Sequence, residues 1–171
     1  MTVGTFVLLA LETAPILPRS PELAARAGEG ALSRVLETDA ELQRDRWQRI
    51  VIHTSREGQR IAARCHFVVG DGRVVARRAW REQSRPQHVA RRGGYDYNAD
   101  SIGICLQGDY TRDEGVSAAD RKALTRLVRA VQRRCGIDRS LVYYHYSFTG
   151  RHRPARSFAE AVEPELLTIG G

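Results

Sequence analysis

Trp47-Gln-Arg-Ile-Val-Ile-His53 is a short β-branched run ending on a histidine, and Leu141-Val-Tyr-Tyr-His145 repeats that arrangement near the other end of the chain. Runs of this length and composition read as buried strands. Between them, His66-Phe-Val-Val-Gly70 and Arg73-Val-Val75 flank Asp71-Gly72, a strong hairpin dipeptide, and Ser101-Ile-Gly-Ile-Cys-Leu106 is a further apolar strand. Ser117-Ala-Ala-Asp120 has the form of a capping box with Asp in place of Glu. It opens the clearest helix, in which Leu124, Leu127, Val128, Val131 and Cys135 form one stripe that Gly136 ends. Strands interspersed with helices over so short a chain predict an α/β fold: one mixed central sheet flanked by helices.

Upstream, Ser20 is a plausible N-cap with Pro21 at the first helical position. Leu23, Ala27, Leu32, Val35, Leu36 and Leu42 recur roughly at helical spacing to Arg46, and Gly28 and Gly30 split the segment. The chain divides into a strand and helical extension over 1–46, a main domain over 47–160 and a tail over 161–171. Its 171 residues suit one domain, and 42% hydrophobic with 27% charged residues exclude disorder. The run from Met1 to Leu11 is either a buried first strand or a worn or mis-started export signal. It lacks a preceding Lys or Arg and is too short to span a bilayer. Three cysteines cannot all pair internally, and a disulfide framework is not expected; Cys105 and Cys135 fall in core patterns and read as inert. The net charge of +7, carried by arginines with Lys122 as the sole lysine, biases the surface toward anionic partners.

His53 and His145 each sit at the carboxyl end of a predicted strand, the edge where sites gather in open α/β sheets. Two imidazoles so placed suggest a metal pair, since a hydrolytic zinc site takes three protein ligands and a water.

The sequence from Trp47 to about Phe158 resembles the zinc-dependent N-acetylmuramoyl-L-alanine amidases, with the phage-type lysozyme amidases and the peptidoglycan recognition proteins. The resemblance rests on Trp47-x-x-Ile-Val-Ile-His53, His66-Phe-Val-Val-Gly with Asp71-Gly72, and Ala79-Trp80-x-x-Gln83 leading to His88. It continues through Tyr97-Asn98-x-x-Ser101-Ile-Gly-Ile-Cys-Leu-x-Gly108-Asp109-Tyr110 and the helix from Ser117 to His145 and Arg153-Pro154-Ala155. It implies that His53 and His145 bind zinc, that His88 and Asn98 border the substrate groove, and that Arg151 matches a cationic position serving the oxyanion.

Two departures put hydrolysis in doubt. The third ligand in such enzymes is a cysteine or aspartate eight residues after the second histidine, and that position holds Arg153. A guanidinium stays protonated and only donates hydrogen bonds. About 4 Å from a dication, at an effective dielectric near 20, it opposes binding by roughly 8 kcal/mol. The tyrosine that precedes His-Phe in active members is Cys65, a weak donor on a short stem. The interval from His53 to Cys65 is also too short for the helix that usually walls the groove.

Three readings follow. The first is an impaired amidase fold that binds peptidoglycan fragments or another anionic glycopeptide, with zinc weak or absent and Arg153 clamping a carboxylate. The second is an active zinc amidase with a rearranged site, in which His152 or Cys65 supplies the third ligand. The third is a basic scaffold or nucleic-acid-associated protein using Arg73, Arg77, Arg78, Arg81, Arg85, Arg91 and Arg92; a solvated arginine-rich loop is the simpler account of those residues. The resemblance implies a cell-envelope, periplasmic or secreted location, with the cytoplasm left open.

Overall fold

The computed structural model describes residues 30–54, 62–89, 94–112 and 115–166. Five strands form one sheet: β1 (Arg49–His53), β2 (Phe67–Gly70), β3 (Arg73–Ala76), β4 (Ser101–Leu106) and β5 (Val142–Tyr144), in the spatial order β3-β2-β4-β1-β5. β2 and β3 are antiparallel across Asp71 and Gly72, whose φ values of 52° and 68° meet the needs of a tight hairpin turn; the other neighbouring pairs run parallel. Helices α1 (residues 30–35), α2 (Arg78–Arg81), α3 (Ala118–Cys135), α4 (Tyr146–Thr149) and α5 (Arg156–Leu166) complete the mixed α/β architecture.

Side-chain alternation gives the sheet two different faces. Ile50, Ile52, Phe67, Ile102, Ile104 and Leu106 join the α3 stripe and Phe158, Val162 and Leu166 of α5 in the main core. Val51, His53, Gly103 and Cys105 alternate onto the opposite face, and that face carries the site. Because β1 and β5 are parallel neighbours, His145 continues their ladder: its backbone N–H donates to the Ile52 carbonyl at 2.9 Å.

The expected helix from Ser117 is α3, capped by the Ser117 hydroxyl accepting from the Asp120 N–H at 3.0 Å and ended by Gly136 at φ 72°. Only half of the capping box forms. The Asp120 carboxylate turns instead to the Gly72 N–H at 2.7 Å and the Tyr110 hydroxyl at 3.3 Å, tying the hairpin turn to the helix start. Of the N-terminal extension, residues 1–29 and the apolar run within them lie outside the described residues. Residues 30–35 are helical, and the Leu36 carbonyl accepts from Trp80 Nε1 at 3.2 Å. Helix α5 crosses the 160/161 boundary drawn from the sequence and buries Val162 and Leu166 in the core. Among the described residues no helix is long and apolar enough to cross a membrane.

The expectation for the cysteines is overturned. Cys65 and Cys105 form a disulfide with a Cα–Cα distance of 6.1 Å, leaving Cys135 free and buried. The reason is sheet register: β2 pairs with β4 so that Val68 opposes Cys105, which brings Cys65, just upstream of β2, within bridging reach. Cys65 is therefore not a thiol.

Candidate functional site

His53 at the end of β1 and His145 after β5 lie side by side, their rings stacked with centroids 4.5 Å apart and planes at 29°. A third imidazole completes the group. His88 arrives from the segment after α2, and its Nδ1 lies 3.1 Å from His53 Nε2. It reaches that place because position 103 on β4 has no side chain: a Cβ on Gly103 would stand 2.8 Å from the His88 ring. Asn98 fixes the approach. Its Oδ1 accepts from the N–H groups of His88 (2.9 Å) and Val89 (2.8 Å), and its Nδ2 donates to the Val89 carbonyl (2.7 Å) and Asp96 Oδ1 (2.8 Å). The side chain expected to border a substrate groove thus positions His88, from a buried site.

The hydrogen-bond network assigns the protons. The Ser101 hydroxyl donates to the Tyr97 carbonyl, so it can only accept from His88 Nε2, 3.1 Å away. His88 Nδ1 is then bare and accepts the His53 Nε2 proton. The chain runs from His53 through His88 and Ser101 to Tyr97, crossing the sheet face. His66 lies beside it. Its Nδ1 accepts from the Gly103 N–H at 3.0 Å, so its Nε2 carries the proton toward the Ser84 carbonyl at 3.2 Å. Burial, with the neighbouring imidazole of His88, pushes His66 down to about 3; burial likewise pushes His88 down to about 4 and holds His53 well below the ordinary histidine value. These three rings are neutral at neutral pH.

Among the described residues no group of three or more His, Cys, Asp or Glu side chains is arranged to hold an ion. Arg153 is exposed, its guanidinium 5.8 Å from the Tyr146 ring centroid, and it lines a cavity with Tyr144, Arg156 and Glu163. His152 is exposed at φ 59°, and Arg151 is an exposed neighbour whose N–H meets Thr149 Oγ1 at 3.3 Å. Cys65, the other candidate ligand, has its sulfur committed to Cys105.

An aromatic wall adjoins the histidines. The β1–β5 register sets Tyr143 opposite Val51 and so onto the histidine face; Phe148 of α4 packs against Tyr143 (5.5 Å) and Tyr97 (4.5 Å), and Tyr97 against the half-exposed Tyr95 (4.9 Å). Arg49 lies over both Tyr95 and Tyr97 and pairs with Asp100 at 2.9 Å. Sequence reading missed this wall and the roles of His66 and Ser101. The available signal was the alternation along Ser101–Leu106 that puts Gly103 on the histidine face.

The sequence profile of a family described as N-acetylmuramoyl-L-alanine amidase matches residues 33–156. Among solved structures, the chain is similar to the endolysin N-acetylmuramoyl-L-alanine amidase LysCS from Clostridium intestinale URNW (TM-score 0.54, 18% identity, 75% of this chain and 90% of that one). It is also similar to a selenomethionine derivative of AmpD (TM-score 0.55, 18% identity, 73% and 87%). A third likeness is to a complex of the peptidoglycan recognition protein ectodomains LCa and LCx with tracheal cytotoxin (TM-score 0.52, 22% identity, 69% and 81%). At these identities the likeness is one of fold. No curated protein matches the chain by sequence.

Proposed function

This chain belongs to the N-acetylmuramoyl-L-alanine amidase family, and on that premise we propose that it holds peptidoglycan fragments in the groove over its histidine cluster while hydrolysing the muramoyl–L-alanine amide poorly or not at all. The observation that carries this reading is the fate of the third ligand position. Arg153 offers no electron pair and lies over the Tyr146 ring instead, and the Cys65 sulfur, bonded to Cys105, offers neither a ligand nor a proton. His53 and His145 remain as a ligand pair one short of a hydrolytic site. His53 Nε2 donates to His88, which leaves its Nδ1 as the ring nitrogen open to a metal.

The binding half of the proposal draws on the aromatic wall of Tyr143, Phe148, Tyr97 and Tyr95, which offers ring faces to a sugar or stem peptide beside the histidines. His88 and Asn98 shape the floor of this groove rather than gripping the ligand. Arg151 and Arg153, both exposed in the segment after His145, would serve as cationic partners for stem carboxylates. The Cys65–Cys105 disulfide supports an oxidising compartment, and with it the cell envelope or the exterior as the place of action.

Metal analysis with a zinc titration tests the reading. The purified chain is expected to hold zinc well below one ion per chain, and Arg153→Cys to gain it. Stoichiometric zinc that survives Arg153→Ala but is lost in His152→Ala would establish a rearranged active centre and overturn the proposal.

A further inference from the structure

On the sheet face away from the histidines, α1, the turn at Arg44–Arg46 and the last turns of α3 line an open cavity of about 490 Å³. Leu32, Leu36 and Ala130 form its base; Ser33, Arg44, Arg133 and Arg134 supply every polar side chain in its lining, and no carboxylate is among them. We propose that this cavity is a phosphate-binding site, separate from the groove and independent of its assignment.

Three observations converge on it. First, among the described residues none of the three guanidinium groups has an ion-pair partner or a side-chain hydrogen bond, whereas Arg49, Arg78 and Arg156 all have carboxylate partners. Second, Arg134 Nε is buried and, among the described residues, has no acceptor. An unmet buried donor on a charged group costs on the order of 1–3 kcal/mol or more, and a small shift of the Arg134 side chain toward the cavity would let an anion there supply the missing acceptor. Third, the cations come from two separate elements. The last turn of a helix favours positive side chains, which accounts for Arg133 and Arg134 alone; Arg44 comes from a different turn and faces the same space. Three permanent cations around one concavity suit a multiply charged tetrahedral oxyanion better than a carboxylate, which one guanidinium satisfies bidentately. The Ser33 hydroxyl adds a further donor.

The phosphate could belong to a soluble polyphosphate or to the headgroups of an anionic lipid surface, and the test separates the two. Tripolyphosphate binding is followed by isothermal titration, and sedimentation is measured with phosphatidylcholine vesicles with and without phosphatidylglycerol. Arg133→Gln and the Arg44→Gln/Arg133→Gln pair change exposed side chains and should leave the melting temperature unaltered. Arg78→Gln, on α2 and not among the residues lining the cavity, serves as the charge control. Affinity for at least one probe is expected to fall about tenfold or more in Arg133→Gln, further in the pair, and little in Arg78→Gln. A response to tripolyphosphate assigns a soluble ligand, and a response to vesicles alone assigns a lipid surface. Absence of binding to both probes, or an equal loss in Arg78→Gln, overturns the site.

Discussion

Lowering the pH from 7 to 5 should remove a large part of this protein's stability, because His53, His66 and His88 are buried neutral against one face of the sheet. His66 and His88 have folded values of about 3 and about 4 against an ordinary 6.5, chiefly through burial. Depressed histidine values mean that the unfolded chain takes up protons the folded one refuses. The stability is therefore fully present above pH 6.5 and is lost as the pH falls from there toward the folded values. At pH 5 each ring is 1.5 units below its unfolded value and still neutral when folded, a cost of about 2 kcal/mol per ring and about 4 kcal/mol for the two. That is a large share of the 5–15 kcal/mol typical of a domain. His53, shifted the same way, adds to it. Urea unfolding at pH 7, 6 and 5 measures the effect, and His88→Gln should reduce the loss by about 2 kcal/mol. A free energy of unfolding that changes by less than about 1 kcal/mol over this range would refute the neutral buried cluster.

Further outcomes follow from the same contacts. Without reductant, the denatured chain should react with one equivalent of thiol reagent, at Cys135, and with three after reduction. Gly103→Ala places a methyl group 2.8 Å from the His88 ring and should cost about 1–3 kcal/mol, read as a lowered melting temperature. Asp120→Ala strips the Gly72 N–H and the Tyr110 hydroxyl of their acceptor and should cost about 1–3 kcal/mol in the same assay.

The sheet was legible because each strand is a compact apolar run, and α3 because its stripe, cap and terminal glycine agree. His53 and His145 were legible for a related reason: a residue ending a strand lies at the sheet's carboxyl edge wherever that strand sits. The contact between His53 and His88 was not, since it spans 35 residues and depends on Gly103 facing the same side. The Cys65–Cys105 bridge spans 40 residues and depends on the β2–β4 register, which no local pattern encodes. Helix α5 escaped notice because Pro164 interrupts its pattern and Pro154 precedes it, although Phe158, Val162 and Leu166 recur at helical spacing. The two departures at Arg153 and Cys65 were visible as substitutions. What each side chain does instead, lying over Tyr146 or bonding to Cys105, required the fold.

The most direct test is incubation of the zinc-supplemented protein with a defined muropeptide, with binding followed by titration and the recovered ligand by mass spectrometry. Saturable binding with the muropeptide recovered intact is the predicted result. Release of the stem peptide at its L-alanine with turnover, accompanied by one zinc per chain, would contradict it.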